Sequence, residues 1–361
     1  MSSTLSVINS QYHRSFDING YKPLEKGTFS LEFDREKQTG RKFSDSTKLR
    51  YLVKSSERPN FDLREGYPDR YIKMDRSMKE GLSHMLEWIL KENYVLQPGT
   101  FVGRRGYLTK ILTTPYENNE GWLLAVSLFN GTYYFREMET EAARRFKETR
   151  NARLEEMTYW GYKFEHYMCT DEPNGKPNTK GVVNSNEGYY TVVESKINEH
   201  TLLFSGEVDC KNETPLYQTA PSYYVELKTN AKLVNQNKNY QFRRYKLLKW
   251  WAQSFLAGVP LIVAGFRTED GIVKETKPYK TSEIPALAAA DSRSWKPTTC
   301  MEFINAFLSF IKSEVTQDDP GVVYLFSWEP KDDVSYTVHR DPKYTFLHDW
   351  YVEGMTKRAR V

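Results

Sequence analysis

The sequence predicts a single α+β domain in which mixed central β-sheets are flanked by helices. Strand-like runs with period-two alternation recur along the chain, and helical patterns of period 3.6 lie between them. No internal repeat or linker separates one part of the chain from another. A chain of 361 residues can bury a substantial core as one large domain, so we assign residues 1–361 to one domain.

The N-terminal part of the chain contains the first predicted elements. Residues 1–76 are polar and rich in turn-forming residues, so we expect an irregular wrapping segment with short strands near 28–33 and 49–53. Residues 77–93 place apolar side chains at positions i, i+3, i+4 and i+7, which predicts an amphipathic helix. Asn130-Gly131 separates two β-rich runs and predicts a hairpin with a type I′ turn.

The rest of the chain alternates between helical and strand patterns. A helical period extends from Glu137 to about Tyr167, and residues 171–181 have the composition of a loop. A second hairpin at 189–209 and a helix over 235–257, ended by Gly258, come next. The last predicted elements are strands at 260–268, 271–280, 322–328 and 334–339 and a helix near 299–315.

The composition permits nucleic-acid binding without requiring it. The 51 basic and 47 acidic residues leave a net charge of only +4. Cys169, Cys210 and Cys300 have neither a metal-binding spacing nor a disulfide pattern, which favours a reducing, intracellular compartment. No apolar run approaches the ~18 residues that a membrane span needs, and the N-terminus has no signal sequence. The basic end TKRARV is either a nuclear address or a solvated tail.

The stretch from Gly206 to Thr229 carries the strongest signal for chemistry. Strand side chains alternate between faces, so Glu207 shares a face with Asp209, and Glu226 shares one with Lys228. If the two strands are neighbours in a sheet, three carboxylates and one ammonium group converge. Carboxylates packed that densely repel one another unless a cation lies among them, which predicts a metal site. The alternative is a cross-strand ladder of ion pairs, which otherwise apolar strands disfavour.

The predicted ligands indicate which metal they hold. Carboxylate oxygens without a cluster of histidines or cysteines favour Mg²⁺ or Mn²⁺ over Zn²⁺. Two such cations, about 3.5–4 Å apart, can stabilise both the attacking and the leaving oxygen of a displacement at phosphorus. Lys228 would bind the scissile phosphate or lower the pKa of the attacking water. The pattern therefore predicts a metal-dependent phosphodiester hydrolase.

Six short motifs follow one another between about residues 100 and 270. They are RGYLTKIL with Arg105, GYKFE at 161–165, GEVD at 206–209, YVELK at 224–228, KWWAQ at 249–253 and GFR at 265–267. Together they resemble the motif series of the decapping nuclease family, which comprises DXO and the fungal nuclear homologue that partners a 5′–3′ exoribonuclease. Two longer strings, GYKFE and LLKWWAQSFL, are more similar to the fungal branch than to the animal one. The resemblance implies a PD-(D/E)xK-like nuclease core.

The resemblance also implies a role for individual residues. The implied ligands of the divalent cations are Glu165, Glu207, Asp209, Glu226 and the backbone carbonyl of Leu227. The implied positioning residues are Lys228 and Gln253 for the water and the scissile phosphate, and Arg105 for the 5′ end of the substrate. One departure lies at Gly103-Arg104, where a bulkier residue, commonly Trp, is expected before the arginine. This departure concerns recognition of the 5′ end and not the metal site.

The implied activity is hydrolysis at the 5′ end of RNA in the nucleus, with the cytoplasm as the alternative location. The family removes pyrophosphate from 5′-triphosphate RNA, incompletely methylated caps and NAD caps, and some members also degrade RNA from 5′ to 3′. A first alternative is a binding partner whose main task is to stabilise and activate a nuclear 5′–3′ exoribonuclease. A second alternative is a DNA endonuclease, because strand pairs with E-x-D and E-x-K occur widely.

Overall fold

The computed structural model describes residues 3–8, 16–36, 40–53, 58–75, 81–213, 220–290 and 294–358. Strands and helices are both abundant among them, which confirms the predicted α+β class. The strands are β1 Leu24–Phe33, β2 Arg41–Phe43, β3 Arg50–Leu52, β4 Phe61–Asp62, β5 Tyr71–Ile72, β6 Phe101–Arg104, β7 Trp122–Phe129, β8 Thr132–Met138, β9 Cys169–Thr170, β10 Val183–Asn184, β11 Gly188–Ile197, β12 His200–Val208, β13 Cys210–Lys211, β14 Tyr224–Ala231, β15 Leu261–Arg267, β16 Ile272–Lys280, β17 Val323–Trp328 and β18 Ser335–His339. The helices are α1 Ser83–Lys91, α2 Arg105–Thr113, α3 Glu141–Glu148, α4 Ala152–Met168, α5 Gln236–Gln241, α6 Leu247–Ala257, α7 Ile284–Ala288, α8 Pro297–Glu314 and α9 Asp349–Arg358.

Both predicted hairpins are present. Asn130 and Gly131 have φ angles of 49° and 69°, as a type I′ turn requires, and they join β7 to β8. Asn198, with a φ angle of 49°, lies between the antiparallel strands β11 and β12. The helix predicted over 77–93 is α1, although residues 77–80 lie outside the described part of the chain.

Two of the predicted helices are interrupted. The helical pattern that ends near Tyr167 divides into α3 and α4, because the side chain of Asn151 caps a new helix by accepting a hydrogen bond from the N–H of Leu154 at 2.9 Å. The helix before Gly258 divides into α5, a π-helical turn at Phe242–Lys246, and α6. It ends as predicted, because Gly258 adopts the left-handed φ of 70° that caps a helix.

Most of the strands form two large mixed sheets. The order is β18-β17-β7-β8-β6-β12-β11-β1-β2 in the nine-stranded sheet and β4-β16-β15-β14-β13-β3-β9 in the seven-stranded sheet, while β10 and β5 form a separate pair. Parallel and antiparallel neighbours occur in both large sheets. The N-terminal segment supplies β1 to one sheet and β3 to the other, at the two places where short strands are predicted, near 28–33 and 49–53.

Asp209 marks the point where the chain passes from one large sheet to the other. Strand β12 ends at Val208 in the nine-stranded sheet, and β13 pairs antiparallel with β14 in the seven-stranded sheet, with Cys210 opposite Val225. The condition that the E-x-D and E-x-K strands are neighbours is met by β13, the short strand that follows Asp209, and not by β12, which carries Glu207. The predicted carboxylates consequently lie where the two sheets meet.

A large apolar core contacts both sheets and includes several helices. It contains Phe204 from β12 and Ile262 from β15, together with Trp251 of α6 and Phe303 of α8, each at most 1% exposed. Helix α2 packs against α6 and α8 in the same core. Burial of apolar surface contributes roughly 25 cal/mol per Å², so this core fixes the relative positions of the elements that carry the predicted site.

The cysteines and the helices can be compared with the predictions from composition. Cys169, Cys210 and Cys300 are all buried and free. Within the described ranges, no helix combines the length and the apolar composition that crossing a membrane would need.

The aromatic ring of Phe135 packs directly against Gly103 of β6, so a larger residue at this position should destabilise the protein. An added Cβ would lie 2.2 Å from a ring carbon of Phe135. We expect Gly103→Ala to lower the free energy of unfolding by roughly 1–3 kcal/mol, because the packed ring must shift to admit the methyl group. Urea unfolding measures the change.

The matched control for this substitution lies three residues further along the chain. A Cβ added at Gly106, in the first turn of α2, meets no atom within 4 Å. Alanine also favours the helix, so Gly106→Ala should leave the stability unchanged or raise it by up to about 1 kcal/mol. Equal stabilities of the two variants would contradict this account of the packing.

Candidate active site

Glu226 on β14 lies at the centre of the predicted site and is only 2% exposed. Its Oε2 accepts a hydrogen bond from Arg105 at 3.3 Å, and its Oε1 accepts one each from Lys228 and Gln253 at 2.6 Å. Burial alone would raise the pKa of Glu226, but Lys228 and Arg105 outweigh it and hold the pKa below its ordinary value. The structure thus brings three of the predicted positioning residues, from α2, β14 and α6, onto one carboxylate.

Asp209 and Glu207 occupy the junction between the sheets. The Oδ2 of Asp209 accepts a hydrogen bond from the backbone N–H of Leu227 at 2.6 Å, which attaches the junction to β14. Leu227 therefore lies beside the acidic cluster, and its observed contact with that cluster is through its N–H group. The side chain of Glu207 is exposed.

Glu165 reaches the same cluster from the last turn of α4. The ring of its neighbour Phe164 packs against Gly265 of β15 so closely that an added Cβ at Gly265 would lie 2.6 Å from the ring. This contact holds α4 against the seven-stranded sheet and brings the GYKFE and GFR motifs together in space. The carboxylate of Glu165 accepts a short hydrogen bond from the guanidinium group of Arg50 on β3.

The acidic side chains are close enough to repel one another. Burial raises the pKa of the Glu165 carboxyl group, and the negative charges of Glu207 and Glu226 add to this rise. Burial and the charges of Glu226 and Glu165 raise the pKa of Asp209 well above its ordinary value. All four predicted acidic ligands therefore act on one another electrostatically, although they come from α4 and from two different sheets.

This donor set fits a hard divalent cation. Carboxylate oxygens are the ligands that Mg²⁺ and Mn²⁺ prefer, and a cation among them would relieve the repulsion that, in addition to burial, raises the two pKa values. In the part of the chain that the structure describes, no three acidic, histidine or cysteine side chains surround one point closely enough to ligate an ion as they stand. Protein cations hold two of the carboxylates instead: Arg50 holds Glu165, and Lys228 and Arg105 hold Glu226.

Two cavities border the acidic cluster. The α2 cavity, of about 500 Å³, and the α4 cavity, of about 630 Å³, have Glu207 in common among their described wall residues. Residues that line the α2 cavity include Arg104, Arg105, Tyr107, Lys110, Lys249 and Gln253. Residues that line the α4 cavity include Lys48, Arg50, Tyr51, Tyr162, Glu165 and Asp209. An extended ligand could therefore pass the carboxylates from one cavity to the other.

Arg50 is the site residue that the sequence did not predict. It lies in the segment for which we expected an irregular wrapping structure, and it is 115 residues from its partner Glu165. Strand β3 pairs with β13 directly after Asp209, with Arg50 opposite Cys210, and this pairing carries the guanidinium group to the acidic cluster. No spacing rule within one chain connects positions so far apart.

This arrangement defines a nuclease of the PD-(D/E)XK class. Two mixed sheets meet at the E-x-D sequence, one strand carries E-x-K, and α4 contributes a glutamate. The family profile described as RAI1 like PD-(D/E)XK nuclease matches residues 21–352, and the chain belongs to that family. The family membership confirms the resemblance inferred from the six motifs, and it confirms the predicted nuclease core.

Curated relatives occur in both branches of the family. The chain is 45% identical to the decapping and exoribonuclease protein of Xenopus laevis over 98% of its own length and 90% of that protein. It is 48% identical to the Rattus norvegicus protein of the same name, over 93% and 86% of the two chains. Its identity to the decapping nuclease RAI1 of Neurospora crassa is 35%, over 83% and 74%. Over the whole chain, the identity to these animal proteins is therefore higher than the identity to the Neurospora crassa protein, whereas the similarity of GYKFE and LLKWWAQSFL to the fungal branch concerned those two strings alone.

Solved structures confirm the fold. Scheffersomyces stipitis Rai1 in complex with (3′-NADP)+ and calcium superposes with a TM-score of 0.84 at 24% identity, over 98% of this chain and 100% of that one. Candida albicans Rai1 in complex with pU5-Mn²⁺ gives a TM-score of 0.81 at 22% identity, over 99% and 100%. The shared architecture extends over nearly the whole chain, including both large sheets.

Proposed function

We propose that this protein is a metal-dependent hydrolase that acts on the 5′ ends of RNA. The observation that carries the proposal is the cluster of Glu165, Glu207, Asp209 and Glu226 with Lys228, placed between two cavities in a chain of the RAI1-like nuclease family. The names of the animal relatives, and the RNA and Mn²⁺ in the Candida albicans structure, support the same substrate class and cofactor.

The four carboxylates and the carbonyl group of Leu227 are the proposed ligands of Mg²⁺ or Mn²⁺, with two cations as the proposed number. When bound, such cations polarise the scissile phosphate and make the attacking water more acidic. Movement of Glu165 away from Arg50 would free its carboxylate for this role. The exposed Glu207, which borders both cavities, is the ligand best placed to meet incoming RNA.

The basic and amide groups around Glu226 have proposed roles in positioning. Lys228 and Gln253 both contact one carboxylate oxygen at 2.6 Å, so they are held beside the place where the scissile phosphate must lie. Lys228 can neutralise charge that develops on that phosphate, and Gln253 can orient the water by hydrogen bonding. Arg105, buried and paired with Glu226, borders the α2 cavity and is the proposed contact for the 5′-terminal group.

The proposed reactions share one chemical step, which is attack of water on a phosphate linkage at the 5′ end. They are removal of pyrophosphate from 5′-triphosphate RNA, removal of incompletely methylated caps and removal of NAD caps, with 5′–3′ exonuclease activity as a further activity. The (3′-NADP)+ in the Scheffersomyces stipitis structure supports a pocket of this family that admits dinucleotides.

A panel of 5′ ends tests this proposal. One RNA sequence is prepared with a 5′-triphosphate, an unmethylated cap, an NAD cap, a 5′-monophosphate or a 5′-hydroxyl group, and each is incubated with the protein and Mg²⁺ or Mn²⁺. We expect loss of the 5′ group from at least one of the first three RNAs. Cleavage of circular duplex DNA, with every RNA left intact, would instead support the DNA endonuclease alternative.

The binding role and the location of the protein are separate proposals that rest on the sequence resemblance. As a partner of a nuclear 5′–3′ exoribonuclease, the protein would stabilise that enzyme through an outer surface, so variants of the acidic cluster should still co-purify with it. The basic end of the chain supports the proposed nuclear location, and residues 359–361 of it lie outside the described part of the chain.

A further inference from the structure

The α2 cavity has four basic side chains among its described wall residues, and they differ in their partners. Three of them form ion pairs with carboxylates: Arg105 with Glu226, Lys110 with Glu137 and Lys249 with Glu117. Arg104 has no carboxylate partner within the described ranges. Its hydrogen-bond partners there are neutral groups: the carbonyl oxygen of Gly81, at a long 3.5 Å, and the hydroxyl group of Tyr107. Its positive charge is therefore the one in this wall that a ligand can most readily use.

The position of Arg104 in the sheet places it beside the proposed reaction centre. Strands β6 and β12 are parallel neighbours in which Arg104 pairs with Ser205, and Glu207 follows Ser205 by two residues on the same face. Standard strand spacings put the Cα atoms of Arg104 and Glu207 about 8 Å apart. That separation is comparable to the length of a short phosphate chain.

Local packing directs the Arg104 side chain toward the cavity. The preceding residue, Gly103, has the ring of Phe135 where a side chain would otherwise lie. Arg104 itself has extended backbone angles, φ −118° and ψ 146°, and is the last residue of β6 before α2 begins. Strand alternation therefore places its side chain on the opposite face from Phe135, in the wall of the α2 cavity.

The chemistry of this wall fits a phosphate chain. A guanidinium group presents several N–H donors in one plane and can bind two phosphate oxygens at once. We propose that Arg104 binds the phosphates on the 5′ side of the scissile linkage and thereby favours RNA ends that carry more than one phosphate. This inference rests on the proposed function. At Gly103-Arg104 the resemblance implies a bulkier residue, commonly tryptophan, before the arginine, and a tryptophan side chain would offer one donor and no charge.

Direct binding of inorganic pyrophosphate tests the inference without requiring turnover. Calorimetric titrations with Mg²⁺ compare wild type, Arg104→Gln, Arg104→Lys and Arg104→Trp, with Arg144→Gln as a control for the same change of net charge on the exposed helix α3. A charge-assisted hydrogen bond corresponds to on the order of 10- to 100-fold in affinity. We expect a loss of pyrophosphate affinity of that size for Arg104→Gln and Arg104→Trp, and a smaller loss for Arg104→Lys. The control Arg144→Gln should bind pyrophosphate with wild-type affinity.

A second readout separates phosphate recognition from general damage to the site. The same RNA with a 5′-hydroxyl group should bind wild type and Arg104→Gln equally, because it offers no terminal phosphates to Arg104. If Arg104→Gln weakened the binding of pyrophosphate and of 5′-hydroxyl RNA equally, or weakened the binding of neither, the inference would be overturned. The proposed function has its own test and fails if the wild-type protein leaves every RNA of the panel intact. In that case the pyrophosphate titration still decides whether Arg104 binds phosphates.

Discussion

Glu207→Gln should abolish hydrolysis while leaving the fold intact. Glu207 is exposed and lies between both cavities, so losing its charge removes a proposed cation ligand without exposing any core. Loss of several kcal/mol of transition-state stabilisation corresponds to at least about a 1,000-fold lower kcat. Substitutions at exposed positions usually change stability by no more than about 0.5 kcal/mol. Single-turnover kinetics and thermal unfolding of the same preparation measure the two effects.

The control for this variant lies at the other end of β12, in the turn that joins β11 to β12. Glu199→Gln changes an exposed glutamate in the turn before β12, far along the strand from the acidic cluster. It should retain wild-type kinetics and stability. An active Glu207→Gln variant would remove Glu207 from the catalytic site, and an unfolded one would mean that the residue has a structural role.

Glu226→Gln should lose both activity and stability, because Glu226 is buried between cations. Arg105 is 6% exposed and would keep a buried charge without its partner, and Lys228 would lose its 2.6 Å contact with a carboxylate. Breaking a buried ion pair by removing one partner typically costs about 3–5 kcal/mol. We therefore expect a loss of that size in urea unfolding, together with a fall in kcat of at least about 1,000-fold.

A double substitution separates the two effects of Glu226→Gln. Adding Arg105→Met removes the buried charge that Glu226→Gln leaves unpaired, so it should restore part of the lost stability. It should restore none of the activity, because a proposed metal ligand and the proposed 5′-end contact are then both absent. A double variant less stable than Glu226→Gln alone would contradict the assignment of the stability loss to unpaired charge.

The local elements of the fold were predictable because their signals are local. The Asn130-Gly131 turn, the end of α6 at Gly258 and the E-x-K alternation each depend on a few neighbouring residues, and the structure has them as predicted. The interruption near Asn151 was not predicted, because a continuous helical period conceals a capping residue.

The assembly of the site was less predictable. Strand alternation predicts a shared face for Glu207 and Asp209, but it cannot state that β12 ends between them and that the chain then changes sheet. The pairing of β3 with β13, which brings in Arg50, depends on long-range packing that no sequence period encodes. Glu207, Asp209 and Glu226 were predictable because, with Lys228, they put four charges in apolar strands, which demand a cation or a partner. Glu165 was implied only by the resemblance to the nuclease family.

The most direct test of the central claim is a time course of 5′-group release from 5′-triphosphate RNA in Mn²⁺, with EDTA added midway. The claim is that carboxylates from two sheets and one helix hold the cations that drive hydrolysis. It predicts release by wild type that stops on chelation and resumes when excess Mn²⁺ is restored. Release that continues in EDTA, or a folded wild-type protein that is inert with both Mn²⁺ and Mg²⁺, would contradict it.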